Sequence, residues 1–177
     1  MAGEDFFVSK LAEEIGYDGG CSMLHTTLCY LEENGKTLML HRIKKKNDVN
    51  HDKWIGIGGK FEHGESPEEC MLREFEEETD LRLLSWRYRG IVTFVSDSWC
   101  EYMHLFTADA YEGTMKECDE GTLEWVETDR LTDLPIWEGD KVFLRLLAER
   151  YTFFSLKLIY EGERLAGAML DGKVLEV

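Results

Sequence analysis

Several glutamates are concentrated in one short stretch of this 177-residue chain, at a spacing that could bring their carboxylates together around a ligand. The stretch opens with Ser-Pro-Glu-Glu at residues 66–69, where serine suits a helix cap, proline the first helical position and glutamate the reciprocal partner of the cap. The spacing predicts a helix over residues 66–79. At about 100° per residue, Glu74, Glu77 and Glu78 fall on one edge of that helix. Three carboxylates on one edge can converge on a hard divalent cation such as magnesium, which prefers oxygen ligands.

A solvated acidic face is the ordinary alternative for such a helix. At the surface, a like-charge pair one helical turn apart costs only about 0.2–0.5 kcal/mol. At an effective dielectric of about 20, two such charges about 6 Å apart would repel by roughly 3 kcal/mol, and a cation would be needed. The same projection places Arg73, like Glu69 and Glu76, off the acidic edge. The helix by itself leaves both alternatives open.

The composition narrows the classes of function. The formal net charge is −16, and a surface this acidic repels DNA and RNA, so we expect no nucleic-acid polymer as a partner. An enzyme of this charge that binds an anionic nucleotide needs cations at its site, which favours a carboxylate-bound metal. The five cysteines are scattered without a C-x-x-C pair, and no apolar run approaches the roughly 20 residues of a membrane span. The sequence therefore predicts a cytoplasmic protein with no membrane partner.

The elements that must position the acidic helix are mostly strands. The pattern predicts strands at residues 25–31 and 37–43 with a hairpin turn at 33–36, then a tight, glycine-interrupted turn at 54–61. Further strands are predicted at 87–95, 102–110, 123–126, 153–160 and 164–170, and an amphipathic helix at 140–151. Residues 1–22 form an N-terminal extension with a short predicted helix at 5–15, and residues 23–177 form one domain. Strands with a few interspersed helices indicate an α/β fold with a mixed sheet.

The glycines and acids before the helix complete a longer pattern. Residues 59–65 read Gly-Lys-Phe-Glu-His-Gly-Glu, and after seven more residues 73–81 read Arg-Glu-Phe-Glu-Glu-Glu-Thr-Asp-Leu. This resembles the Nudix box: glycine, five residues, glutamate, seven residues, then Arg-Glu, an apolar residue, any residue, Glu-Glu, any residue, glycine and an apolar residue. Asp80 stands where the family has glycine. The resemblance implies the Nudix α/β/α sandwich, with a mixed β-sheet between helices.

The substitution of Asp80 for glycine has two interpretations. Aspartate is among the few residues that tolerate the left-handed conformation common just after a helix, so the helix end can stay in place at modest cost. Alternatively, the helix end is shifted, which would change the direction of Glu77 and Glu78.

The resemblance implies a metal site on the acidic edge. Glu74, Glu77 and Glu78 would bind Mg²⁺, or Mn²⁺ in its place, together with the main-chain carbonyl of Gly58. A further family ligand comes from a downstream acidic loop, for which Glu120 is the candidate. The alternative for Glu120 is an ordinary loop acid.

The resemblance also implies roles in catalysis. Arg73 would orient a neighbouring glutamate through a bidentate pair, with Glu65 as its partner, or it is simply an exposed helix residue. A metal-bound water would attack phosphorus, and a carboxylate would take its proton. Glu77 and Glu74 are both candidates for that base, and the sequence does not choose between them. The candidate phosphate contacts are Lys60 and Arg42.

Two further segments resemble the branch of MutT-type 8-oxo-purine nucleoside triphosphatases. Residues 54–60, Trp-Ile-Gly-Ile-Gly-Gly-Lys, resemble that branch's Trp-Asn-Gly-Phe-Gly-Gly-Lys. Residues 134–140, Leu-Pro-Ile-Trp-Glu-Gly-Asp, resemble its base-reading Trp-Pro-Asp-Asp segment. On this match Trp137 would stack on the purine, unless it anchors the core, and Asp140 would bond the base edge.

Two departures from that branch bear on the substrate. Ile55 replaces a base-contacting asparagine, and Gly139 replaces one of two paired aspartates, which can relax selectivity. We expect a magnesium-dependent Nudix hydrolase, monomeric or homodimeric, that cleaves oxidised purine nucleoside triphosphates such as 8-oxo-dGTP to the monophosphate and pyrophosphate. One alternative is a hydrolase of ADP-ribose, a dinucleotide or another diphosphate-linked nucleoside. The other is a non-catalytic nucleotide-binding module, which should show eroded box carboxylates, whereas this chain keeps them.

Overall fold

The computed structural model of the protein describes residues 23–44, 50–96, 99–149 and 152–176. Its strands are β1 (Met23–Glu33), β2 (Lys36–His41), β3 (Trp54–Ile55), β4 (Leu81–Val95), β5 (Cys100–Gly113), β6 (Thr122–Glu127), β7 (Phe154–Glu161), β8 (Arg164–Leu170) and β9 (Lys173–Leu175). Its α-helices are α1 (Pro67–Thr79) and α2 (Glu138–Ala148), and a 3-10 helix covers Thr128–Asp133. The helix predicted within the N-terminal extension, at residues 5–15, lies outside the described residues.

The described strands form one mixed sheet. The order is β3-β2-β1-β5-β4-β7-β8-β9, with β6 paired to β2. The pairs β1–β5 and β4–β7 are parallel, and the other neighbouring pairs are antiparallel. The β1–β2 hairpin turns through Asn34 and Gly35, whose φ values of 51° and 79° suit a tight turn with both central residues left-handed. The predicted mixed sheet and hairpin are confirmed.

Alternate residues of β1 point to opposite faces of the sheet, and a helix covers each face. Leu31 is buried in a cluster that includes Phe75 of α1. Tyr30 is buried in a second cluster that includes Phe143 of α2, with ring centroids 6.2 Å apart. The sheet therefore lies between the two helices, as the α/β/α prediction requires. Of the helices in the described ranges, none is long and apolar enough to cross a membrane.

Helix α1 begins and ends as its residue types predict. The Ser66 hydroxyl accepts a hydrogen bond from the Glu69 backbone N–H, and the Glu69 carboxylate accepts one from the Ser66 N–H, which completes the capping box. At the other end, Asp80 adopts φ 61° and ψ 12°, and its N–H donates to the Glu76 carbonyl at 2.8 Å. The helix end is therefore not shifted by the aspartate, which takes the left-handed conformation itself.

The boundaries of some elements differ from the sequence prediction. Strand β4 begins at Leu81 and not near residue 87, because Leu81 and Leu83 are buried and the chain enters the strand directly after Asp80. Helix α2 begins at Glu138 and not at residue 140, with Trp137 at its N-cap position. It ends at Ala148, with Glu149 at its C-cap position, and not at residue 151. Strand β9 was not predicted, since it is a short pairing with β8 at the end of the sheet.

The left-handed backbone conformation of Asp80 can be tested by measuring the stability of variants. Asp80→Gly is expected to raise the free energy of unfolding by about 0.5–1 kcal/mol, because glycine pays no steric cost at positive φ, and its greater freedom in the unfolded chain offsets part of the gain. Asp80→Ala is the matched control and should lower stability by about 1 kcal/mol, since alanine tolerates this conformation less well than aspartate. Urea unfolding of the three proteins measures both effects. An alanine variant as stable as the glycine variant would contradict this account.

Candidate active site

A glycine-rich loop, Gly58-Gly59, lies in the chain between β3 and the acidic helix. The loop is fixed to β1 by a hydrogen bond from the Thr27 N–H to the Gly59 carbonyl at 2.9 Å. A Cβ at Gly58 would lie 2.0 Å from the Thr27 carbonyl oxygen, and one at Gly59 would lie 2.4 Å from the Glu74 carboxylate. The backbone of β1 therefore excludes a side chain at Gly58, whereas a side chain at Gly59 would have to displace the Glu74 carboxylate, against which the loop backbone lies.

The side chain of Arg73 donates hydrogen bonds to three neighbouring carboxylates. Its Nε and Nη2 donate to the two oxygens of Glu65 at 2.6 and 2.9 Å, so the predicted bidentate pair is present. Its Nη1 donates to Glu74 at 2.8 Å and to Glu77 at 3.2 Å. Nη2 also donates to the Lys60 main-chain carbonyl at 3.1 Å. The prediction that Arg73 points away from the acidic edge is wrong, because its long side chain folds back along the helix.

Charge and hydrogen bonding within this group hold Glu65 ionised. Hydrogen bonds from the Arg73 guanidinium, followed by one from the Glu62 backbone N–H, lower the pKa of Glu65 to about 2. The same pairing with Glu65 raises the pKa of Arg73 above its ordinary value. The three charged groups of Arg73, Glu65 and Glu74 are each less than a quarter exposed, at 22%, 15% and 17%, whereas Glu77 is 60% exposed. Glu77 is therefore the solvent-facing carboxylate of the group.

Two further predicted metal ligands are Glu78, near the end of α1, and Glu120, in the loop before β6. One oxygen of Glu78, Oε2, is almost inaccessible to solvent. Burial raises the pKa of the Cys118 thiol, and the charges of Glu78 and Glu120 act in the same direction. The Glu120 loop is fixed by a hydrogen bond from the Lys44 N–H to the Glu120 carbonyl at 3.3 Å.

Arg42 and Glu120 form an ion pair with each other. Their side chains are 13% and 24% exposed, so the pair is largely shielded from water. The two were predicted separately, Arg42 as a phosphate contact and Glu120 as a metal ligand. The pairing holds Arg42 against the acidic loop and leaves Lys60, which is exposed, as the accessible cation of the two phosphate candidates.

The oxygen atoms of the predicted metal ligands are of the type that a hard divalent cation prefers. Glu74, Glu77 and Glu78 offer carboxylate oxygens from one helix, and the Gly59 backbone lies against Glu74. Within the described ranges, no three His, Cys, Asp or Glu side chains are already gathered in a metal-holding group. Arg73 instead holds the acids of the first half of the edge. Glu77 is the most exposed of these acids and has the longest of their contacts with Arg73, 3.2 Å.

A second cluster lies at the start of α2, on the opposite face of the sheet. The Trp137 indole N–H donates to Asn50 at 2.8 Å, and the Lys53 ammonium lies over the Trp137 ring, 4.8 Å from its centroid. The Trp137 ring also meets Tyr160 edge to face at 6.1 Å. Trp137 is thus held at three points, and only part of its ring surface is covered.

Asp140, in the first turn of α2, is a buried carboxyl with 6% exposure. Burial raises its pKa to about 7; the charge of Glu101 acts in the same direction, while a backbone hydrogen bond at Trp137 and the charge of Lys53 oppose it. A buried carboxyl with a strongly raised pKa is a candidate functional group.

Sequence reasoning missed the partners of this cluster. Tyr160 lies on β7, the strand after α2, and Glu101 lies on β5, well before it, and no local motif marks either residue. A signal for Glu101 does exist, because Glu101, Met103 and Leu105 share one face of β5, and a glutamate on an apolar face is unusual. Ile55, at the position of the branch's base-contacting asparagine, packs against the α1-side core and not beside Asp140.

The buried Asp140 makes the free energy of unfolding depend on pH. In the folded protein the pKa of Asp140 is about 7, which is above its ordinary value in the unfolded chain. Asp140 therefore stabilises the protein fully only at pH values below its unfolded pKa, and this contribution is lost as pH rises through about 7. Asp140→Asn mimics the protonated form. We expect the stability of the variant relative to wild type to increase by about 2 kcal/mol from pH 5 to pH 8. Urea unfolding at both pH values measures this difference. A constant difference would contradict the raised pKa.

Three comparisons place the chain among known proteins. A family model described as the NUDIX domain matches residues 23–147. An uncharacterized Nudix hydrolase of Bacillus subtilis is 31% identical over 122 residues, which cover 64% of this chain and 72% of that protein. The oxidized purine nucleoside triphosphate hydrolase of Danio rerio is 31% identical over 131 residues, 73% of this chain and 82% of that protein. The mutator MutT protein of Bacillus halodurans has a similar crystal structure, with a TM-score of 0.75, 27% identity and coverage of 85% of this chain and 99% of that one.

The matched span contains the elements that carry the candidate site. Residues 23–147 include the Gly58-Gly59 loop, α1, the loop with Glu120 and the first turn of α2. The likeness to the MutT structure extends over most of the chain and shares its mixed sheet between helices. The chain belongs to the Nudix hydrolase family and, within it, is MutT-like.

Proposed function

We propose that this protein hydrolyses purine nucleoside triphosphates, including oxidised ones such as 8-oxo-dGTP, to the monophosphate and pyrophosphate. The observation that carries the proposal is the Arg73-centred group of carboxylates, pressed against a side-chain-free glycine loop. The purine specificity is supported by the activity in the name of the Danio rerio relative and by the cluster of Trp137 and Asp140.

The reaction requires a divalent cation, for which we propose Mg²⁺, with Mn²⁺ as a substitute. Glu74, Glu77 and Glu78 would hold it with the Gly58 carbonyl, and Glu120 would add a further oxygen. When bound, such an ion lowers the pKa of water and neutralises charge that develops on the phosphate oxygens. The acidic edge supplies the hard oxygen donors that this ion prefers.

The chain's own side chains position the acids and take the proton. Arg73 orients Glu65 and Glu74 through short charge-assisted hydrogen bonds, which fix the start of the acidic edge. Of the two candidates for the general base, we favour Glu77, because it is the exposed carboxylate and has the longest of these contacts with Arg73, 3.2 Å. Glu74 is shielded beneath the glycine loop.

The base and phosphates would contact residues at the same end of the sheet. Lys60 is exposed, so its ammonium is available to a phosphate chain. Its backbone is bridged to that of Thr26 in β1. Asp140 would bond the purine edge, and Trp137 would stack on the base through the part of its ring not covered by Lys53. The backbone bond from the Trp54 N–H to the Pro135 carbonyl, 3.1 Å, links β3 to the segment before α2.

A substrate panel tests the proposed reaction. The purified protein is incubated with Mg²⁺ and equal concentrations of 8-oxo-dGTP, dGTP, dATP, CTP, ADP-ribose and a dinucleoside polyphosphate, with chromatographic identification of products. We expect the purine triphosphates to give monophosphate and pyrophosphate with the highest kcat/KM. Release of orthophosphate, or faster cleavage of ADP-ribose or the dinucleotide, would contradict the proposal. Binding without any product over hours would indicate a non-catalytic module.

The proposed role of Glu77 as general base can be tested by substitution. Glu77→Gln is expected to lower kcat by about a hundredfold or more while folding is retained, because a general base contributes about 10²–10⁴ in rate. Glu76→Gln is the matched control, since Glu76 is an exposed neighbour on the same helix and lies off the acidic edge. Its kcat should stay close to wild type. Equal activity in the two variants would refute the assignment of Glu77.

A further inference from the structure

Position 139 has no room for a side chain. A Cβ at Gly139 would lie 2.6 Å from both the Leu158 Cδ1 and the Tyr160 hydroxyl. The Gly139 N–H donates to that hydroxyl at 2.8 Å, so the start of α2 is packed directly against β7. A side chain at position 139 would therefore have to displace Leu158 and Tyr160, and Asp140 is the buried carboxyl that α2 contributes.

A second carboxyl reaches the same region from β5. Glu101 shares a face of that strand with Met103 and Leu105, which belong to the α2-side core. The Thr26 hydroxyl of β1 donates a hydrogen bond to its Oε1 across the parallel β1–β5 pairing. On the other side, Glu101 pairs with Phe94 of β4, whose ring lies 6.4 Å from that of Tyr160. Glu101 is thus held on the sheet surface that faces the start of α2.

Contacts and charge connect Glu101 with the start of α2. Its partner across the sheet, Phe94, lies against Tyr160, whose hydroxyl accepts a hydrogen bond from the Gly139 N–H. The charge of Glu101 contributes to the raised pKa of Asp140. Burial raises the pKa of Glu101 itself, with the Thr26 hydrogen bond and the charge of Lys60 acting against it. The backbone of Lys60 is bridged to that of Thr26, whose hydroxyl donates to Glu101. Glu101 is therefore connected through Thr26 to the segment that carries the candidate phosphate contact, and through Phe94 and Tyr160 to the start of α2.

We propose that Glu101 is a specificity-determining residue, which acts with Asp140 on a purine edge that presents two neighbouring N–H donors. The inference rests on the proposed function, since it requires that the base of a nucleotide lies beside the start of α2. An ionised carboxylate only accepts hydrogen bonds, so it favours bases that offer donors. Guanine-type bases offer the ring N1–H and the 2-amino group side by side, whereas hypoxanthine lacks the 2-amino group. Glu101 therefore supplies, from a different strand, an acceptor that Gly139 lacks.

Binding of nucleoside monophosphates tests this inference without turnover. Isothermal titration of the full chain with dGMP and dIMP compares two bases that differ in the 2-amino group alone. In Glu101→Gln, the amide oxygen can still accept from Thr26, but an N–H₂ group replaces the second acceptor. We expect this variant to bind dGMP about tenfold or more weakly and dIMP less than about threefold more weakly. Asp109→Asn, at an exposed position of the same strand, is the matched control and should change neither affinity.

Three outcomes would overturn the inference. The first is an equal loss of affinity for dGMP and dIMP in Glu101→Gln, which would mean that Glu101 supports the site without reading the base. The second is equal affinity of the wild-type protein for both nucleotides, and the third is no measurable binding of either. The substrate panel tests hydrolysis separately. A protein that discriminates dGMP from dIMP through Glu101 but hydrolyses no purine triphosphate would retain this inference and contradict the proposed reaction.

Discussion

The guanidinium of Arg73 ties three separate segments of the chain to one another. It binds Glu65 from the loop before α1, Glu74 and Glu77 from α1 itself, and the Lys60 carbonyl from the glycine loop. Acids this close would repel one another strongly at low effective dielectric, and the planar five-donor cation compensates that repulsion with directed hydrogen bonds. A lysine could not make the same set of contacts, because its ammonium is a point charge with three donors. The acidic edge therefore depends on this one side chain.

The sheet brings two different chemistries to one end of the molecule. Helix α1 covers one face and carries the carboxylates, while α2 covers the other face and carries Asp140. The parallel pairing of β1 with β5 connects them, because Thr26 of β1 contacts Glu101 on the α2 side and is bridged to Lys60 of the glycine loop. With a formal net charge of −16, the chain needs cations where it meets an anionic substrate. The proposed metal and Lys60 supply them.

Local features could be predicted from the sequence, and contacts between distant segments could not. The capping box of Ser66 and Glu69, the hairpin turn and the mixed sheet follow from residue type and spacing, and each is present. The direction of Arg73 was missed because helical projection fixes Cβ and not the end of a long side chain. The Arg42–Glu120 pair was missed because it joins segments far apart in the chain. A single sequence offers no signal for such pairs.

Metal binding by the acidic edge is the claim on which the account of function depends most. Titration with Mn²⁺, followed by the electron paramagnetic resonance signal of the free ion, measures it directly and without substrate. The account predicts saturable binding by the wild-type protein and by Glu76→Gln, and at least about tenfold weaker binding by Glu78→Gln. Binding by Glu78→Gln that equals the wild type, or no saturable binding by the wild type, would contradict it.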